Sequence, residues 1–503
     1  MTRASRAKSE GPHATDTVEP RYWRMLGYDA PSWHDIVGDA DAAVEKDWPL
    51  HVKNVTPINT SEVLLLPCKH PETKEYFRHA VRWLSDPSLY NADACGKPNI
   101  RRTLYTDAQI QTMMEVKIKQ YPEARLGPPL SGLFGFPRAE CHKKRHRPIF
   151  APDTNRTLLS ETLQPMHYRT RADVRRAVHN GEYCVQVDMK SYYDQFLLDE
   201  SVRRFFVFKH AGRLYSLRTL AMGQRQACEI AQACTWLLVD FEMDESIHVT
   251  TCIDNIRFVG PRHHVVTAVR GFLKRCKQVG AQLNEVDVNA TDVETLDVDT
   301  LAEKSGVFLG EHYDYIRKTV KVSEKTIEKL RICNERLTTQ CATERRPMPV
   351  RHLASHVALL FYTAQTLGLH LAKYYGALRY YRDLSALLAN DITMWNARDI
   401  PPIPPGALKE LLAWTHETLQ NVPRRIPTAD EDEASPTLTI TTDASQWGWA
   451  AATIDHASGT AHTYQQAWST DEAAWGSQQR LSPRRCGELF VARYVHRTKW
   501  SKS

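Results

Sequence analysis

Between residues 182 and 322 the sequence alternates short apolar strands with helices, and no other feature constrains the fold as strongly. EYCVQVD (182–188) reads as a strand, and RFFVFKHAGRLYSLRTL (204–220) as a β-hairpin that turns at His210 to Gly212. ACEIAQACTWLLVDFEM (227–243) reads as a buried helix. HVTTCIDNIRFVG (248–260) is a second hairpin around Ile253-Asp254-Asn255, because Asp and Asn tolerate the positive φ that tight turns require. VTAVRGFLKRCKQVG (266–280) is a helix stopped by Gly280, and GVFLGEHYDYIRKTVKV (306–322) is a further strand pair. Hairpins interleaved with helices place this part in the mixed α/β (α+β) class.

The flanking sequence is more helical. PETKEYFRHAVRWL (71–84) and TDAQIQTMMEVKIKQY (106–121) repeat their apolar residues near helical spacing, but the region 21–125 offers no functional reading. ADVRRAVHNG (172–181) is a helix stopped at Asn180-Gly181. SEKTIEKLRICNERL (323–337) starts on Ser323 as a helix cap, and Leu353, Val357, Leu360, Ala364 and Leu367 form one apolar stripe of core character. IPPIPPG (400–406) is a stiff connector, ALKELLAWTHETL (407–419) a last helix, and TADEDEASP (428–436) an acidic linker at a domain boundary. Beyond it TLTITTDAS, WGWAAATI and TAHTYQQAW alternate as three antiparallel strands, followed by a helix at SPRRCGELFVARYVHRTKW. Residues 1–20 are polar and expected to be disordered.

Composition excludes several classes. With 503 residues, 42% apolar and 25% charged, the chain suits several globular domains rather than a disordered or disulfide-stapled protein. No uninterrupted apolar run reaches the roughly 18 residues of a membrane span, and the N-terminus has no signal-like apolar stretch. An intracellular protein is expected, with nothing to choose between nucleus and cytoplasm. The 11 cysteines are scattered with no CxxC pair, which argues against a disulfide framework or zinc site. The net charge of +6 is mild for the whole chain, but the segment Arg138–Arg176 alone holds ten basic and four acidic residues. That concentration is the footprint of a site where phosphates are neutralised.

Asp188 ends an apolar strand, and Asp254 sits at a hairpin tip 66 residues later. Carboxylates at a strand end and a tight turn can converge on one sheet, where divalent ions could bridge them to a polyphosphate.

VQVDMKSYYDQF, the hairpin after it, LAMGQRQACEIAQA, TTCIDNIRFVG and GVFLG resemble, in order and spacing, the palm motifs of reverse transcriptases. RHRPIFAPDTNRTL (145–158) resembles the fingers motif of the same family. The resemblance covers about 138–330 and implies a right-hand polymerase fold, divided into an N-terminal extension (21–125), fingers (126–187), palm (188–311) and thumb or connection helices (312–427). It implies Mg²⁺ (or Mn²⁺) on Asp188 and Asp254, with Asn255 completing the catalytic group, and an RNA template, a primer and deoxynucleotides as partners. Arg145 or Arg147 would contact the triphosphate, and Tyr193 would crowd the sugar 2′-position. Gly223 and Gln224 would let the backbone approach the template–nucleotide pair, and Phe308-Leu309-Gly310 resembles the primer grip.

The sequence also departs from the family pattern. Asn255 stands where a second aspartate is usual, Cys252 replaces an aromatic, and Ala221 and Ala227-Cys228 replace prolines and small residues around the Gly223 motif. The lysine expected near Asn284 is missing, with Lys304 as a weak substitute. After the linker, 437–503 resembles the start of a ribonuclease H domain, with Asp443 and Glu488 in the positions of its first two metal carboxylates. Only 15 residues follow Glu488 and none is acidic, so that domain is expected to be incomplete and without hydrolytic activity. The whole arrangement most resembles retrotransposons of the DIRS group, including the kinetoplastid VIPER type. The reading is an RNA-directed DNA polymerase. Two rivals stay open: an inactive or domesticated fragment that binds nucleic acid, and a polymerase making RNA, against which the aromatic Tyr193 argues.

Overall fold

The computed structural model describes residues 48–140, 143–158, 166, 168–290, 292–342, 350–390, 403–428, 438–444, 448–455 and 458–467. The expected disorder of 1–20, most of the linker 428–436 and the helix carrying Glu488 lie outside the described residues. The chain divides into two compact units between Ile426 and Pro427.

The first unit opens with helices α1 (Thr60–Leu65) and α2 (Pro71–Val81), the latter with proline at its first position, where no amide partner is lost. Helix α3 (Asp107–Met113) starts on a capping box between Thr106 and Gln109. The helix expected over 106–121 ends here. Glu115 takes φ 62°, and Ile118–Gln120 becomes a strand, β1, paired with Tyr215 to Leu217. The apolar period is met by burying Ile110 and Met113 from the helix but Ile118 from the strand, so long-range pairing overrides a local pattern. Strands β2 (Leu133–Glu140) and β3 (Arg145–Pro152) form a two-stranded hairpin. Helix α4 (Arg171–Arg176) and a 3₁₀ turn lead to Gly181 and β4 (Tyr183–Asp188).

Strands β5 (Val207–His210) and β6 (Arg213–Leu217) pair across a turn in which Ala211 and Gly212 both have positive φ, and β1 extends their sheet. Helix α5 (Ala227–Val239), strands β7 (His248–Cys252) and β8 (Asn255–Gly260), and helix α6 (Arg262–Val279) follow in the expected order, and Gly280 ends α6 at φ 75°. The segment expected as a strand pair holds three strands, β9 (Ser305–Phe308), β10 (Glu311–Asp314) and β11 (Thr319–Val322). Asp314 accepts from the amides of Ile316 and Arg317 and turns the chain back, a tertiary-independent signal that the apolar pattern hides. Helices α7 (Glu324–Ala342), α8 (Val350–Leu367), α9 (Tyr375–Asn390) and α10 (Pro405–Leu419) come next, and β12 (Arg424–Arg425) joins the edge of β11.

What positions the site is the sheet β4-β8-β7, all antiparallel, with β8 central. Its two-residue period sends Val185, Val187, Ile256 and Phe258 into the main core, where Phe258 and Phe272 of α6 meet at 5.6 Å between rings. Burying each such side chain stabilises the sheet by about 1.5–3 kcal/mol. The same period puts Gln186, Asp188, Asn255 and Arg257 on the opposite face. A second apolar core, formed by α7 to α10, surrounds the stacked rings of Tyr374 and Trp414 and contains Leu353, Val357, Leu360 and Ala364 of the expected stripe.

The second unit is described as one antiparallel sheet, β13 (Leu438–Ala444), β14 (Gly448–Asp455) and β15 (Thr460–Ala467). Those are the three strands that the alternation predicts. Asp443 stands opposite Ala450 in the register.

Candidate active site

Asp188 is the last residue of β4 and pairs directly with Asn255, the first of β8. Asp254 lies in the two-residue turn before it, and its carbonyl accepts from the Met189 amide at 2.9 Å. The antiparallel register therefore brings both carboxylates to one end of one sheet. Each is half-buried. Burial first, and then the charges of Asp254 and Glu285, push the Asp188 carboxyl up to about 6. Burial likewise raises Asp254, against hydrogen bonds from its own amide and Asn255 and the charge of Arg147. Asn255 donates its amide to Asp254 Oδ1 at 2.9 Å, so it orients the carboxylate instead of adding charge.

The turn itself differs from expectation. Its positive φ falls on Ile253, at 57°, not on Asp254 or Asn255. A β-branched residue resists this conformation, which costs about 1–3 kcal/mol and persists only where neighbours over-determine it. The neighbours are on α5. Gln232 accepts from the Ile253 amide at 2.6 Å and donates to Thr251 Oγ1 at 3.0 Å, while Thr235 donates to the Ile253 carbonyl at 2.6 Å. Both side chains are fully buried.

The carboxylates open into a pocket of about 350 Å³. Its other walls carry His51, Lys53, Lys117, Lys143, Arg145 and Arg147, with Tyr193, Met222, Ile253 and Asn284 between. Lys117 is paired with Asp194, and Lys53, Lys143, Arg145 and Arg147 share the pocket with the two carboxylates. Glu140 is shared by Arg145 Nε at 2.5 Å and Arg147 at 2.8 Å. Burial and then the charges of Arg145, Lys53 and Arg147 lower His51 to about 4, so its neutral ring accepts from the Arg145 guanidinium at 3.0 Å. A larger, shallower groove of about 530 Å³ between α7 and α8 is lined by no carboxylate.

The other residues singled out from sequence fall in three places. Tyr193 lines the pocket, its hydroxyl 3.2 Å from Cys228 Sγ. Gly223 and Gln224 lie beside it. Gly223 has φ 110°, and a Cβ there would sit 2.1 Å from the Phe150 carbonyl oxygen, so the absent side chain already admits β3. Asn155 donates to the Gly223 carbonyl at 2.7 Å, and Gln224 is buried, accepting from the Ala221 amide at 2.5 Å. Phe308-Leu309-Gly310 is the β9–β10 turn and does not line the pocket: Phe308 is buried under Arg257, and Leu309 is exposed at the tip with φ 49°. Lys304 is not a substitute cation for the pocket. Its ammonium lies over the ring of Tyr183, at the other end of β4 from Asp188. Asp443 belongs to the second unit, and Glu488 is outside the described residues.

Four contributors escape a reading of local motifs. Lys53 donates to Asn284 Oδ1 at 2.7 Å, and Asn284 in turn donates to Asp188 Oδ2 at 2.9 Å. Glu285 accepts from the Asp188 amide at 2.9 Å, and Gln232 holds the turn. Among the described residues, no group of three His, Cys, Asp or Glu side chains is arranged to hold a metal ion alone. Two carboxylates with raised pKa, together with a buried Asp188 Oδ1 that accepts no hydrogen bond, nevertheless fit a divalent cation whose remaining ligands come from a substrate.

No model of a known family matches the chain, and no curated protein matches it. Among solved structures it is similar to the foamy viral protease-reverse transcriptase dRH in complex with double-stranded DNA, at 10% identity and a TM-score of 0.49, over 86% of this chain and 72% of that one. It is also similar to the foamy viral protease-reverse transcriptase in complex with an RNA/DNA hybrid, at 11% identity and a TM-score of 0.49, over 89% of this chain and 57% of that one. The similarity is distant.

Proposed function

We propose that the chain is a template-directed, RNA-dependent DNA polymerase of retroelement type, most like the DIRS group. The observation that carries this reading is the convergence of Asp188 and Asp254 at one sheet end, facing Lys53, Lys143, Arg145 and Arg147 across a pocket. Carboxylates opposite cations suit a metal-bound polyphosphate, because each wall matches one of its two charges. In the reaction the primer 3′-oxygen bonds to the α-phosphorus of a deoxynucleotide as the bond to the β-phosphate oxygen breaks, releasing pyrophosphate and a proton.

Asp188 and Asp254 would hold Mg²⁺ or Mn²⁺. Bound there, the ion would ease loss of the hydroxyl proton and neutralise charge on the transferring phosphate. Arg145 and Arg147, kept in place by Glu140, would orient the triphosphate, and Asn255 and Asn284 would hold the two carboxylates in position. The Tyr193 ring, anchored at Cys228, would close the wall beside the sugar and disfavour a 2′-hydroxyl. Asn255 in place of a second aspartate favours one alternative, a nucleic-acid-binding protein that has lost catalysis.

Primer extension on a homopolymeric RNA template with Mg²⁺ or Mn²⁺ separates the two. Extension is expected from the wild-type chain and is expected to fall at least 100-fold in both Asp188→Ala and Asp254→Ala, on the scale of a lost transition-state charge contact. A folded wild-type chain that binds template-primer without extending it favours the non-catalytic reading.

A further inference from the structure

We propose that the segment preceding the β2–β3 hairpin, residues 48–53, is part of the nucleotide site, and that Lys53 binds the triphosphate of the incoming nucleotide. This inference rests on the polymerase reading and adds to it a residue that no local motif marks.

The segment is docked on the edge of β3. Leu50 forms a parallel bridge with His146, the His51 amide donates to the His146 carbonyl at 2.6 Å, and the His146 amide donates to the Pro49 carbonyl at 2.9 Å. The His146 ring completes the attachment, with Nδ1 3.0 Å from the Trp48 carbonyl. Extended backbone then sorts the next side chains by alternation. Val52 packs against the main core, while His51 and Lys53 line the pocket, His51 against Arg145 and Lys53 against Asn284.

Three features point Lys53 at a ligand. Its ammonium has three donors, and the bond to Asn284 Oδ1 uses one. Among the described residues it forms no ion pair, whereas Arg145 and Arg147 share Glu140 and Lys117 is paired with Asp194. Its position is set from the carboxylate side, since Asn284 bridges it to Asp188. A phosphate carried on cations held by Asp188 and Asp254 would therefore meet this ammonium without displacing an existing counter-ion. The partner is 231 residues away in sequence, which is why neither the spacing around Asn284 nor the composition of 48–53 reveals it.

Single-nucleotide incorporation by the full chain tests the proposal with Lys53→Gln, which keeps a donor for Asn284 but removes the charge, and Lys53→Arg, which keeps the charge. The expected result is that Lys53→Gln raises KM for the deoxynucleotide about tenfold or more, the scale of one charged hydrogen bond. Affinity for template-primer and the melting temperature should stay unchanged, and Lys53→Arg should recover most of the loss. Wild-type kinetics in Lys53→Gln would overturn it. Calorimetric binding of Mg²⁺-dATP to the same chains separates the two possible failures. A wild type that binds the nucleotide in a Lys53-dependent way but never extends a primer sinks the polymerase reading and keeps the phosphate site. Equal binding by wild type and Lys53→Gln, or none by either, sinks the Lys53 assignment itself.

Discussion

At the hairpin tip, Ile253 holds a left-handed backbone that glycine would take freely, and Gln232 and Thr235 of α5 supply the offset. Truncating Gln232 removes the acceptor of the Ile253 amide and frees the turn that carries Asp254. On the polymerase reading proposed above, Gln232→Ala is expected to lower kcat for nucleotide addition about 10-fold or more while KM changes little, because a small displacement of a group that acts in the chemical step costs rate before it costs binding. Gln232→Glu retains an acceptor and should restore part of the rate. An equal fall in both variants, tracking loss of folded protein, would reduce Gln232 to a packing residue. The same scale shows what sequence can and cannot reveal. Asp188, Asp254, Arg145, Arg147 and Tyr193 all line one pocket, and each was visible because its immediate neighbours carry a pattern. Lys53, Glu285 and Gln232 reach the site only through packing, and a lone Lys, Glu or Gln has no local signature. The positive φ was misplaced by one residue for a related reason: propensity favours Asp and Asn, but α5 decides.

Between elements, Glu311 is the junction that matters. It starts β10 and accepts from Arg175 of α4 at 2.6 and 3.2 Å, from Tyr313 at 2.6 Å and from Thr366 of α8 at 2.7 Å, with Arg171 of α4 also bound. Burial alone would raise its carboxyl, but the hydrogen bonds from Arg175 and Tyr313 and the charges of Arg175 and Arg171 overcome that and hold it at about 2. A carboxyl depressed on folding contributes stability that is complete above its unfolded value near 4.5 and is lost as pH falls toward 2. The contribution is about 3 kcal/mol. Urea unfolding of wild type and Glu311→Gln should thus differ most at pH 6, differ less at pH 3 and converge only as pH approaches 2; a pH-independent difference would mean the charge plays no part. Neighbouring glycines carry a parallel lesson. Gly181 reads as a helix stop, yet its φ is extended and a Cβ would lie 2.0 Å from the Gly260 carbonyl carbon, so its role is close approach of α4's end to β8. The order of strands and helices through 183–280 was legible because each element has its own period. The strand β1 was not, since its residues also satisfy a helical repeat and only β6 resolves the choice.

For the molecule as a whole, charge is unevenly placed, with the basic stretch Arg138–Arg176 supplying Arg145 and Arg147 to one wall of the pocket and Arg171 and Arg175 to the Glu311 junction. Part of that charge is therefore structural, which composition alone could not separate from ligand binding. No helix among the described residues is long and apolar enough to cross a membrane. On the proposed polymerase reading, Asp188 and Asp254 form one site for divalent cations. Thermal unfolding of the full chain in chelated buffer and with Mn²⁺ measures this without relying on catalysis. Mn²⁺ should raise the wild-type melting temperature. Asp188→Asn should melt higher than wild type in chelated buffer, since a repelled and partly desolvated carboxylate is gone, and should lose most of the Mn²⁺ response. A wild type indifferent to Mn²⁺, with Asp188→Asn melting lower than it in chelated buffer, would contradict the claim.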